Sequence, residues 1–124
     1  MASVTDLSAR ALSELIATRD VSCLEVMQAF LERINALNPD LNALVNLASE
    51  EHCLSLAADA DSALAASRNH GWLHGIPIAI KDLANAEGFP STYGSPLFAD
   101  LMAAKDDPHV ARMKAAAALV IGKT

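Results

Sequence analysis

The chain has 124 residues, 52% apolar and 4% aromatic, with alanine at 25 positions. That is enough for one domain with a modest core, it excludes a disordered tail, and alanine without aromatics points to closely packed helices. Nine Lys plus Arg against fifteen Asp plus Glu give a net charge of −6 with the signs scattered, so there is no basic stripe to neutralise a phosphate backbone and no nucleic-acid partner is expected.

In chain order, Leu7, Ala11, Leu12, Leu15 and Ile16 fall on one stripe over residues 7–18, with Asp6 or Ser8 placed to cap a first helix. The same stretch carries Asp6, Arg10 and Glu14 and lacks the basic-then-apolar pattern of a secretory signal. Ser22 followed by Glu25 is a capping-box pattern, and Cys23, Met27, Phe30, Ile34 and Leu37 recur behind it every three or four residues. Pro39 is expected to close this second helix. Its Met and Phe stripe reads as core, or as a face for a partner. Residues 41–47 read as a short strand, and Ser49 opens an alanine-rich helix to about residue 66. Glu50-Glu51, like Asp106-Asp107 further on, suit the first turn of a helix, where the macrodipole favours negative charge. Cys23 and Cys53 sit on apolar helical positions without metal-binding neighbours and read as buried free thiols of a reducing compartment, taken as the cytoplasm. Residues 67–75 read as a loop. His70 and His74 within it are four apart, but Gly71 intervenes, and no metal site is expected.

The run Gly75-Ile76-Pro77-Ile78-Ala79-Ile80-Lys81-Asp82 alternates as a strand does, with Ile76, Ile78 and Ile80 on one face and Pro77, Ala79 and Lys81 on the other. Pro77 cannot donate to a ladder, which places it at a strand start or sheet edge. Lys81 at the end of the run is a candidate catalytic base: against apolar surroundings an ammonium loses solvation and its pKa falls. The other reading is a strand-end lysine that reaches water and pairs with Asp82 or another carboxylate. Gly88, Pro90, Ser91, Gly94, Ser95 and Pro96 then predict irregular backbone. Residues 106–117 read as a helix with Pro108 in its first turn, and 118–121 as a short buried strand. Strands separated by helices favour an α/β fold. The longest apolar run, residues 115–121, is far below the roughly 20 residues of a membrane helix. Gly122-Lys123-Thr124 looks like the end of a phosphate loop, but that loop requires a glycine where Ala117 stands and a helix after it. The chain ends on an apolar strand with nothing to cover it and reads as cut in mid-fold.

His74-Gly75-Ile76-Pro77-Ile78-Ala79-Ile80-Lys81-Asp82 resembles the lysine motif of the amidase signature family. The resemblance continues through Gly88-Phe89-Pro90-Ser91-Thr92-Tyr93-Gly94-Ser95, Asp107-Pro108-His109-Val110-Ala111-Arg112-Met113 and Gly122-Lys123-Thr124, and extends back to Leu37-Asn38-Pro39 and Leu41-Asn42-Ala43. It implies an α/β fold of N-terminal helices followed by the first strands of a mixed sheet, with residues 1–124 forming the N-terminal part of a single amidase-type domain. It further implies hydrolysis of small-molecule carboxylic amides by a serine, cis-serine and lysine triad, without metal or organic cofactor. Lys81 maps onto the lysine, which when neutral draws a proton through the bridging serine and activates the nucleophilic one. The glycine- and serine-rich segment that holds both serines and the oxyanion donors belongs downstream of Gly122-Lys123-Thr124, so neither serine is expected in this chain. Ser91 and Ser95 follow Lys81, but the family's nucleophile lies elsewhere; Gly94 and Ser95 are expected to shape a substrate loop. The stretch Ser91-Thr92-Tyr93-Gly94-Ser95-Pro96 looks more like stand-alone amidases than the catalytic component of the transfer-RNA amidotransferase.

Two functions from different classes follow. The first is the N-terminal part of an amide hydrolase, inactive by itself. The alternative is a non-enzymatic interaction module that docks through its helical face and an open C-terminal strand edge. Substrate identity and oligomeric state are not written in these residues.

Overall fold

A computed structural model describes residues 3–124. Ser8 accepts a hydrogen bond from the Ala11 N–H and starts α1 (Ala9–Thr18), after a 3-10 turn at Val4–Asp6. The Ser22 and Glu25 capping box forms reciprocally and starts α2 (Cys23–Leu41). After β1 (Asn46–Leu47), Ser49 caps α3 (Glu50–Ala65), whose first turn holds Glu50 and Glu51 as expected. Then come β2 (Pro77–Ile80), a 3-10 turn at Pro96–Phe98, α4 (Pro108–Ala115) and β3 (Leu119–Lys123).

Helices and a three-stranded mixed sheet make the fold α/β, as expected. The strand order is β1-β3-β2, with β3 antiparallel to β1 and parallel to β2. All five residues of β3 are buried. Side chains alternate across it, so Leu119 and Ile121 join the larger core while Val120 joins a smaller one. The larger core is built from Leu12 and Ile16 of α1, Val26, Met27 and Leu31 of α2, and Cys53, Ala57 and Leu64 of α3. The smaller core brings Ile80, Ala86, Val110 and Val120 together. Both cysteines are free and buried, as expected. Burial and the Asp61 carboxylate push the Cys23 thiol up to about 12, which makes it inert as a nucleophile.

Four expectations are corrected. Pro39 does not close α2, which runs two residues past it to Leu41 before Asn42 turns left-handed at φ 47°. The proline removes only its own N–H, and the carbonyl four residues back belongs to exposed Asn35, which can face water. The strand expected over residues 41–47 is confined to Asn46–Leu47, because Asn38 holds the preceding segment through both the N–H and the carbonyl of Leu44. The three isoleucines of the lysine run do not share one face: Ile76 packs in the larger core, Ile80 in the smaller, and Ile78 touches both. Where β2 pairs with β3 the register slips between Ile78 and Ala79, with Ile121 as the extra residue on β3, and Ile76 lies just before β2. Finally, the C-terminal strand is no open edge. It is the central strand, with all five residues buried, and this removes one of the two features of the docking-module reading, the open strand edge.

Pro77 is the first residue of β2, which is an edge strand, where its missing donor is tolerated. Gly122 has a role in the sheet: a Cβ there would lie 2.8 Å from the Asn46 carbonyl oxygen, so only glycine lets β1 close on β3.

Candidate active site

β2 delivers Lys81 to the end of the sheet. The flanking main chain is fixed on both sides, with the Thr124 N–H donating to the Ile80 carbonyl at 2.9 Å and the Asp82 N–H to the Thr124 carbonyl at 2.9 Å. Ala79 and Lys81 both face outward and are exposed. The Lys81 ammonium donates at 3.4 Å to the Thr124 carbonyl and, among the described residues, has no carboxylate within 4 Å. The apolar surroundings considered for this lysine are therefore not supplied by residues 3–124, and neither is the ion pair with Asp82.

Asp82 turns the other way. It is 7% exposed and accepts from the Thr92 N–H at 3.0 Å, the Thr92 hydroxyl, and the Gly94 N–H at 3.4 Å. Burial by itself would raise its carboxyl, but these donors and the Lys123 ammonium outweigh it and hold the group below the usual aspartate value. Lys123 is fully buried and donates to the carbonyls of Ala84 at 2.7 Å and Pro90 at 3.0 Å, with Ser91 Oγ at 3.4 Å and Asp82 Oδ1 at 3.8 Å. Burial pushes this lysine below its ordinary value, and the Asp82 and Asp107 carboxylates act in the opposite sense.

The segment after Lys81 is irregular as expected, with one isolated bridge between Pro90 and Met102. Gly94 reaches the Asp82 carboxylate with φ +71°, and Tyr93 before it is also left-handed at φ 52°. Ser95 caps the 3-10 turn at Pro96–Phe98 by accepting from the Leu97 N–H. Ser91 is buried beside Lys123 rather than Lys81. The site thus joins Asp82, Ser91, Thr92 and Gly94 around Lys123, with Lys81 alone on the outer side.

Sequence reasoning gave Lys123 no role of its own, treating it as part of a phosphate-loop decoy and of the string Gly122-Lys123-Thr124 that carries the family resemblance. The available signal was a lysine at the end of a run otherwise too apolar to lie anywhere but inside. Asp106 and Asp107, expected in the first turn of a helix, both precede α4, whose first turn holds no acidic residue. Asp107 makes no side-chain cap bond to α4; it accepts the Asn85 N–H at 2.9 Å, while Asp106 takes the Glu87 N–H and the Lys114 ammonium, each at 2.7 Å. His109 is exposed, and His70 and His74 stack at 5.6 Å. Buried His74 accepts from the His70 N–H through Nδ1, leaving Nε2–H to donate to the Ala60 carbonyl at 2.9 Å. Among the described residues no group of three or more His, Cys, Asp or Glu side chains could hold a metal ion.

A protein-family model described as Amidase matches residues 25–124. One component of the glutamyl-tRNA(Gln) amidotransferase of Salinispora tropica is 38% identical over 124 residues, all of this chain and 25% of that protein. An acylamidase of Rhodococcus erythropolis is 35% identical over 118 residues, covering 95% of this chain and 24% of its own length. Among solved structures, the native peptide amidase of Stenotrophomonas maltophilia superposes with a TM-score of 0.87 at 31% identity, over 96% of this chain and 24% of that one. The chain spans about a quarter of the length of the curated relatives it matches. Whole-chain identity does not favour stand-alone amidases over the amidotransferase component.

Proposed function

Since the chain belongs to the amidase signature family, we propose that it is the N-terminal part of a single amidase-type domain cleaving carboxylic amides to acid and ammonia or amine, with Lys81 as the base. The observation that carries this reading is the presentation of Lys81. Its main chain is clamped by Thr124 on both sides, while its ammonium faces outward beside exposed Ala79 with no carboxylate within 4 Å among the described residues. A structural lysine at a strand end would pair with the adjacent Asp82, and that carboxylate is turned inward onto Thr92 and Gly94.

The serine pair implied by the family resemblance would approach this outer face. Covering the Ala79–Lys81 surface removes water from the ammonium, which favours the neutral amine. Neutral Lys81 then accepts a proton through the bridging serine as the nucleophilic serine attacks the carbonyl carbon; the proton passes to the leaving amine as the C–N bond breaks, and water, deprotonated through the same relay, attacks the acyl-serine so that the acid leaves and the serine regains its proton. No metal or organic cofactor takes part in these steps. Gly94 and Ser95 belong to the loop that would border the substrate.

Intact mass of the protein from its source, set against the 13.0 kDa of these 124 residues, tests the premise. A several-fold larger mass is expected; a mass equal to 13.0 kDa leaves Lys81 without serines and overturns the hydrolase reading. In the whole protein, Lys81→Ala should lower kcat/KM for an amide by about 10²- to 10⁴-fold, as loss of a general base does. An unchanged rate would remove Lys81 from the chemistry.

A further inference from the structure

Lys123 is a fully buried ammonium that the proton relay does not use. In the sheet it pairs with Ile80, immediately before Lys81, so its strand and the lysine strand are locked together there. Its side chain reaches the segment that follows Lys81 at three places: the Ala84 carbonyl, the Pro90 carbonyl and Ser91 Oγ. It also faces Asp82 Oδ1 at 3.8 Å, and that carboxylate gathers the N–H groups of Thr92 and Gly94. One cation therefore ties both ends of residues 84–91 to the central strand and, through Asp82, sets the turn at Tyr93-Gly94 that leads into Ser95. Buried lysines without a task are rare, because an ammonium taken out of water must have its donors satisfied. All three donors are accounted for here, and each acceptor lies in or before the same loop.

We propose that Lys123 is a positioning residue that holds the 90–95 loop in its substrate-bordering conformation, working with Asp82 as a two-part clasp between β3 and that loop. The proposal rests on the reading of Lys81 as base and of the Gly94-Ser95 segment as substrate loop. Lys123 touches neither substrate nor Lys81. Its loss should therefore loosen substrate binding and leave the chemical step intact, whereas loss of Lys81 strikes the chemical step.

The test uses the whole protein and the variant Lys123→Met, which keeps much of the side-chain volume and removes the donors. Amide hydrogen exchange should accelerate about tenfold or more at Thr92 and Gly94 with the amides of α1, α2 and α3 unchanged. For an amide substrate, KM should rise about tenfold while kcat stays within about threefold. Unchanged exchange at Thr92 and Gly94, or a fall in kcat with KM unaltered, overturns the proposal, as does accelerated exchange throughout the helices, which marks a general structural role. Should Lys123→Met fail to fold, Thr92→Val keeps the cation and removes one link of the clasp. It should speed exchange at Gly94 and raise KM about threefold, and no change in either refutes the clasp. Failure of the underlying reading is separately visible: Lys81→Ala with undiminished kcat removes the base, while the exchange behaviour of Lys123→Met still decides the clasp.

Discussion

Asp82 and Lys81 are neighbours with opposite fates. The lysine faces water and the aspartate is buried, because alternation along an extended chain sends successive side chains to opposite sides. Asp82 and Asp106 are both held below the ordinary aspartate value of 3.8: burial raises each, and the donors of Thr92, Gly94 and Lys123 for the one, and of Lys114 and Glu87 for the other, outweigh it. In the acid range the unfolded chain thus takes up protons before these two native carboxylates do. Their contribution is complete above the ordinary value and is lost as pH falls through the lower native values. Asp82→Asn should accordingly flatten the decline of the thermal midpoint below about pH 4. At neutral pH it should destabilise by about 1–3 kcal/mol, since Lys123 stays buried without its anion. A wild-type slope in the acid limb of the variant would show that Asp82 does not carry the linkage.

At the scale of elements, the start of α2 shows what local patterns reveal and omit. Ser22 and Glu25 are three residues apart and announce their capping box in the sequence. Two further orphan donors, the N–H groups of Cys23 and Leu24, are satisfied at 2.8 and 3.0 Å by the two carboxylate oxygens of Asp61, which arrives from α3. Nothing local to α2 signals that bond, because its partner is 38 residues away along the chain. Asp61→Ala should cost about 1–2 kcal/mol by denaturant midpoint, as much as or more than Ser22→Ala, because two N–H groups lose their acceptor at once. A cost for Asp61→Ala well below that of Ser22→Ala would show that water replaces the carboxylate freely. The same distinction bears on Pro39, where a local rule for helix breaking gave way at a position whose freed carbonyl belongs to exposed Asn35.

For the whole molecule, the central position of β3 decides how the chain can work. It fuses the helical core on one side with the smaller core beneath the loop on the other, and it fixes Lys81 at the sheet end through Thr124. What it leaves outward is the Lys81 ammonium and large exposed side chains, among them Leu97 at 89% and Trp72 at 67%. The 124 residues by themselves should accordingly show no amide hydrolysis above the buffer rate. Turnover by this chain alone, abolished by Lys81→Ala, would refute the view that it needs serines from elsewhere. No helix among the described residues is long and apolar enough to cross a membrane.

The sequence by itself determined the helices, the serine caps of the first three, the short strand that leads into Lys81 and the family, because each is written in residues a few positions apart: a period, a capping pair, a motif. Tertiary structure alone decided the strand order, the burial of Lys123, the inward turn of Asp82 and the reach of Asp61 to α2. These depend on which distant segments the cores bring together, and a buried cation is stable only where such segments supply its acceptors. The same physics made Gly122-Lys123-Thr124 misleading as a local string: its glycine admits β1 and its lysine anchors a loop, and both roles belong to neighbours far away in the chain.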